Sequence, residues 1–233
     1  IGSVDTKNQL STEYIIYNDA NMLVQNPFEC HVEDKSPIPG YQMKGSDPQT
    51  QSTNCKMIEI YLEADYNLYS DKGSNVTNVT NYVTGLFNVV AMLYTNESIN
   101  IAIKQLYVWT TPDPFPDNSS SSALTSFQSH LSSGFNGDIA HLLSTTPTNL
   151  GGISYVDVLC NQSYGVSYSN IYNTYSNFPT YSWSVEVVSH EMGHAFGSQH
   201  THWCGWQLSP SITGPIDTCY TPEGGCYSGP SKP

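Results

Sequence analysis

The chain has 233 residues, of which 38% are hydrophobic, enough for one sizeable domain with a buried core. Only 7 Lys+Arg stand against 20 Asp+Glu, a formal charge of −13, which argues against nucleic acid and anionic membrane surfaces as partners. No apolar run approaches the length of a membrane span, and a soluble, monomeric protein is expected.

Residues 1–55 carry weak periodicity and turn formers such as Pro37, Pro39, Gly40 and Pro48, and read as an N-terminal extension or a retained pro-segment. Residues 56–233 read as the main domain. Ile58, Ile60 and Leu62 alternate with Glu59 and Tyr61, the period of a strand with one buried face. After Gly73, Val79, Tyr82, Val83, Leu86, Phe87, Val90, Leu93 and Tyr94 fall at helical spacing and predict a long amphipathic helix ending near Asn96. Alternation returns over 99–109, so strand, helix and strand form a parallel crossover unit and the fold opens as α/β. Pro112, Pro114 and Pro116 break the chain, and the serine run 119–122 reads as a flexible tip before a short helix at 123–131. Strands are predicted near 139–143 and 153–159, surface loop and strand over 161–181, and a final helix over 183–196.

The six cysteines, Cys30, Cys55, Cys160, Cys204, Cys219 and Cys226, are an even set among abundant Ser, Thr, Asn and Tyr, as in a secreted protein. None has C-x-x-C spacing, which disfavours thiolate zinc sites and thioredoxin-type chemistry. The expected pairs are Cys30 with Cys55, and Cys204 with Cys219 or Cys226, leaving Cys160 to a partner past Pro233. The chain starts at Ile1 without a charged-then-apolar leader, so any signal peptide is expected to have been removed.

The segment 190–200, HEMGHAFGSQH, carries the chemistry. His190 and His194 lie one helical turn apart on one face, so two imidazoles can grip one metal ion. Glu191 follows the first of them, close enough to serve as a base toward a metal-bound water. Gly197 can take positive φ, end the helix and turn the chain back to deliver His200 as third ligand. Three neutral imidazoles leave zinc one open position, the arrangement of a catalytic site.

This string resembles the signature of the metzincin zinc endopeptidases, H-E-x-x-H-x-x-G-x-x-H, and within them the adamalysin/reprolysin group, particularly its bacterial secreted members. Residues 57–65 (MIEIYLEAD) look like that family's first strand, 137–143 (GDIAHLL) like the segment before its edge strand, and 151–155 (GGISY) like the edge strand itself. The resemblance spans roughly 56–206. It implies a mixed α/β (α+β) catalytic domain: a twisted, mostly parallel sheet with an antiparallel edge strand, packed on the long helix and the active-site helix. It further implies a secreted endopeptidase acting on protein or peptide substrates, with zinc as cofactor and calcium as a second ion. Substrate would pair in extended form with the backbone of Gly152, Ile153 and Ser154. Glu59 and Asp138 match the family's structural calcium carboxylates, and Cys30 is the upstream candidate for a zinc-blocking thiolate, with a disulfide explaining it equally simply. The family's methionine turn has no counterpart here, since none of the five methionines follows His200.

His31, His130 and His141 carry no motif and read as structural or exposed, and His202 reads as a surface residue rather than a partner to a ligand. Competing functions are a binding or adhesion module that kept the fold, and a zinc hydrolase of non-peptide bonds. Glu191 favours the enzyme, because a binding module has no need of a base beside the ligands.

Overall fold

The computed structural model describes residues 2–3, 14–15, 57–146, 150–177, 179–218 and 220–226. They fall into two compact units, the larger within 28–199 and a second that holds His200 and the residues after it. Near the N-terminus, β1 (Gly2–Ser3) pairs antiparallel with β2 (Tyr14–Ile15). The remaining residues up to 56, Cys30 and Cys55 among them, lie outside the described residues, as does Cys219.

The larger unit is built on a five-stranded sheet of β3 (Met57–Ala64), β4 (Asn100–Val108), β5 (Ile139–Ser144), β6 (Gly152–Ser154) and β7 (Val166–Asn170), in the order β4-β3-β5-β7-β6. The first four in that order run parallel and β6 alone is antiparallel, along β7. The fold is the mixed α/β arrangement expected. Helices α1 (Tyr66–Asp71), α2 (Val76–Asn96), α3 (Ser120–His130) and α4 (Trp183–Ala195) cover the sheet. Two apolar clusters give the layering. Ile60, Leu62, Ile139 and Leu143 pack with α2 and α4, whereas Tyr61, Ala140, Leu142, Val166 and Tyr168 pack with α3.

Several local expectations change. Strand β3 is buried on both faces from Ile60 to Ala64, because a parallel sheet between two helical layers has no wet side. Segment 161–181 is not a surface strand: its β7 is buried throughout, hydrogen-bonded between β5 and β6. Its Ser and Asn disguised it, because their polar groups find partners inside the fold. The strand expected at 153–159 stops at Ser154 and gives way to a turn, with Asp157 at φ 58°. Ser119, read as part of a flexible tip, is the N-cap of α3, its hydroxyl accepting from the Ser122 backbone N–H at 3.1 Å.

His141 is wholly buried in β5, between hydroxyls on β7: Ser167 Oγ lies 2.7 Å from Nδ1 and Ser169 Oγ 2.9 Å from Nε2. Burial depresses its pKa to about 3, so the folded protein keeps this ring neutral. Below the ordinary histidine value of about 6.5 the unfolded chain takes up a proton that the folded one refuses. This contribution to stability is therefore complete above that pH and is lost as pH falls toward 3, by at most about 1.4 kcal/mol per pH unit. Urea unfolding from pH 7 to 4 should show the slope in the wild type and a shallower one in His141→Asn; equal slopes would count against it. Should that variant not fold, an NMR titration of the His141 ring in the wild type decides the same point.

Candidate metal centre

Helix α4 is fixed at both ends before any ion is considered. At its start the Trp183 indole Nε1–H donates to Asn170 O at 2.8 Å, and Ser184 Oγ accepts from Tyr172 N–H at 3.0 Å, tying the helix to the end of β7. Along its length Val185, Val187, Val188, Met192 and Ala195 are buried, and the Tyr94 hydroxyl of α2 donates to Ser189 O at 2.5 Å. Burial, with the negative charge of Glu191 behind it, raises the Tyr94 pKa, so that hydroxyl stays a donor. At the C-terminus, two carbonyls that a helix leaves open are taken by the turn after β6: Asp157 N–H donates to His194 O and Val158 N–H to Ala195 O, both at 3.0 Å. Gly197 sits at φ 108°, in the left-handed region that only glycine enters at little cost, and α4 ends there as the motif requires.

This frame brings His190 and His194 together. Their Nε2 atoms are 2.9 Å apart and their rings are nearly perpendicular at 84°. His194 Nδ1 faces Ser198 O at 2.8 Å, so Nδ1 carries the proton and Nε2 presents a bare lone pair. Two nitrogens bound to one tetrahedral zinc lie about 3.3 Å apart, so the observed pair fits that ion with a small opening.

Glu191 is fully buried, and the edge strand lies against it. A Cβ placed on Gly152 would sit 2.4 Å from Glu191 Oε1 and 2.5 Å from its Cγ, so only glycine allows the β6 backbone this close. The motif on α4 and the glycine of the predicted edge strand thus meet. On β6, Ile153 pairs with Tyr168 and Ser154 with Ser167 of β7, and no further described strand pairs with the other edge.

In the second unit, His200 Nδ1 lies 2.8 Å and 3.0 Å from the two carboxylate oxygens of Glu223, and His202 Nε2 lies 3.0 Å from Oε1 of the same group. His202 is therefore no surface residue: its side chain is 14% exposed and stacks on His200. Burial raises the Glu223 pKa, but the hydrogen bonds and charges of His200 and His202 outweigh it, and the net shift is downward. Glu223 escaped the sequence reading because it lies 23 residues from His200 and belongs to no motif. The Cys204–Cys226 disulfide, one of the two pairings expected for Cys204, closes this region.

The other expected residues have structural partners. Glu59 pairs with Lys104 Nζ at 2.9 Å, and Asp138 Oδ2 accepts from the Glu59 backbone N–H at 2.9 Å. Calcium takes six or more oxygens, and among the described residues neither acid belongs to a cluster of three or more His, Cys, Asp or Glu side chains able to hold one ion. His130 lies 3.5 Å from the buried Glu63, which accepts from Tyr61 and Trp109, a structural role as read. Cys160 is exposed, with Sγ 3.6 Å from Asp138 Oδ1, and Cys30 lies outside the described residues.

The family model of reprolysin-type metallo-peptidase family M12 matches residues 54–227. The chain belongs to this family. The family is one of metallo-peptidases, and the histidine pair on α4 agrees with that membership. The M12 chain is 26% identical over 186 residues to the disintegrin and metalloproteinase domain-containing protein adm-2 of Caenorhabditis elegans; the match covers 76% of this chain and 18% of that protein's length. Among solved structures, the chain resembles metalloproteinase-II from Bacteroides fragilis at 20% identity and a TM-score of 0.43, over 70% of this chain and 50% of that one. A chain in a chaperone–substrate complex aligns at 13% identity with a TM-score of 0.47, over 62% of this chain and 24% of the other. The assignment rests on the family match. No described helix is long and apolar enough to cross a membrane.

Proposed function

We propose that this chain is a secreted, monomeric zinc endopeptidase that cleaves internal bonds of extended protein segments, with His190, His194 and His200 as zinc ligands and Glu191 as general base. The observation that carries the reading is the contact between Gly152 and Glu191, which puts a buried carboxylate directly behind a sheet edge able to pair with an extended peptide. The zinc motif supports the ligand set, His200 following Gly197 at the spacing the signature requires. Zinc, when bound, supplies Lewis acidity that makes water a nucleophile near neutral pH and polarises the scissile carbonyl.

The protein's own groups do the rest. The β6 backbone at Gly152, Ile153 and Ser154 holds the substrate as an added strand, which selects for unfolded or extended stretches and lets the chain continue past the site in both directions. Glu191 takes the proton of the attacking water and returns it to the departing amine, so no covalent bond to the protein forms. His194 is kept in the ligand tautomer by Ser198 O. Six cysteines with one disulfide among the described residues, and a charge of −13, support an oxidising extracellular setting and a role apart from nucleic acid and membrane.

Chelation should abolish casein or gelatin cleavage by this chain, and stoichiometric zinc should restore it, with zinc content following activity. Cleavage that survives complete removal of zinc would sink the proposal. Zinc bound at full stoichiometry without any peptide cleavage would point to the non-peptidase readings.

A further inference from the structure

We propose that Glu223 is a positioning residue for the metal centre: its carboxylate orients the His200 ring, fixes its tautomer and strengthens its Nε2 as a zinc donor. The inference rests on His200 being a zinc ligand, as proposed above, and adds a residue that neither the motif nor the family assignment supplies.

The geometry is that of a carboxylate gripping one N–H from both sides. The two oxygens of Glu223 lie 2.8 Å and 3.0 Å from Nδ1 of His200, so the proton resides on Nδ1 and the bare lone pair on Nε2. A negative charge at the far side of an imidazole raises the basicity of the opposite nitrogen, and a fixed N–H donor direction fixes the plane of the ring. His194 receives only a neutral carbonyl, Ser198 O, in the same role. His200 is thus the stronger donor of these two by the charge of its partner.

Glu223 is itself held more firmly than an incidental surface acid. Its backbone N–H donates to His202 O at 3.0 Å, and its carbonyl accepts from Cys204 N–H at 2.8 Å, pinning both sides of the residue. Cys204 is joined to Cys226, and Gly224 and Gly225 stand at φ 91° and 71°, letting the chain turn sharply just after the carboxylate. His202 completes the clamp. Its Nε2 reaches Glu223 Oε1 at 3.0 Å, and its ring lies nearly parallel to that of His200, at 18° and 4.9 Å between centroids, which restricts rotation of the ligand ring. With the Glu223 side chain 22% exposed, enough solvation remains to make a charged carboxylate affordable there.

The test is zinc affinity of the full chain, by competition with a chromophoric chelator, in Glu223→Ala, Glu223→Gln, His200→Ala, the Glu223→Ala/His200→Ala double variant, and Glu97→Gln as a carboxylate control. Circular dichroism and urea unfolding of the zinc-free forms check the fold. Glu223→Ala should raise the zinc Kd toward 100-fold and Glu223→Gln by about tenfold, since the amide still accepts the Nδ1–H but carries no charge. Glu97→Gln should leave Kd unchanged. Because Glu223 acts through His200, its removal should cost nothing further in the His200→Ala background. Wild-type affinity in both Glu223 variants, alongside weakened binding in His200→Ala, would overturn the positioning role and leave the ligand set intact. An equal loss from Glu223→Ala with and without His200 would also overturn it. Undiminished zinc binding in His200→Ala would instead remove the ligand assignment beneath it. If Glu223→Ala does not fold, the isosteric Gln variant carries the same comparisons.

Discussion

Exchanging Glu191 for Gln is expected to lower kcat by about 10²- to 10⁴-fold while zinc content stays at one ion per chain. The amide has nearly the volume of the carboxylate, so the fully buried side chain keeps its place against Gly152 and the helix keeps its packing. What is lost is a site that can accept a proton. The variant therefore separates base from ligand: chelator titration should find zinc bound as in the wild type, and turnover of a quenched-fluorescence peptide should fall with KM little changed. Undiminished turnover would remove Glu191 from the mechanism. Loss of zinc together with turnover would show that the residue supports the site rather than acting in it.

Gly152→Ala should damage the proposed activity almost as severely, though it replaces neither a proposed ligand nor the proposed base. The added methyl would sit 2.4 Å from Glu191 Oε1, 2.5 Å from Cγ and 2.6 Å from Cδ. Because Cγ is among these atoms, turning the end of the carboxylate does not relieve the clash. Either β6 moves away from α4 or Glu191 leaves its rotamer, and both separate the proposed base from the strand proposed to hold the substrate. Displacement of a catalytic group by about 1 Å costs about 10²-fold in rate, and overpacking of this kind costs about 1–3 kcal/mol of stability. Steady-state kinetics together with urea unfolding should show both, with kcat/KM reduced at saturating zinc. A variant as active and as stable as the wild type would mean that the strand and the base are not coupled.

The two variants also test the substrate geometry. If peptide binds along β6, Gly152→Ala should raise KM as well as lower kcat, because the strand that moves is the one the peptide pairs with. Glu191→Gln should leave KM near its original value. An identical KM in all three proteins would place the peptide elsewhere.

Much of the architecture was legible in the sequence because it depends on short-range periodicity. The helical spacing of Val79, Tyr82, Val83 and Leu86 predicts α2 to its end at Asn96, and the alternation over 99–109 predicts β4 within a residue at either end. The spacing of His190, His194 and Gly197 predicts the facing imidazoles and the helix stop, since both follow from about 3.6 residues per turn and the left-handed freedom of glycine. By contrast, the depth of β7 was not legible. Val166, Ser167, Tyr168, Ser169 and Asn170 look like a surface strand until β5 and α4 supply partners for the side chains of Ser167, Ser169 and Asn170.

The sequence by itself determined the helix that carries the HEMGH motif, with the ligands and base proposed on it, and the α/β order, because each is written in residue types at fixed local separations. Only the tertiary structure decided that Gly152 abuts Glu191, that His141 is sealed neutral between two serines, and that Glu223 returns to grip His200. Those contacts join residues 23 to 39 positions apart, or on different strands, through backbone close approach and hydrogen-bond direction. A one-dimensional pattern carries neither quantity: both exist only once the sheet, the helix and the disulfide loop have fixed their partners in space.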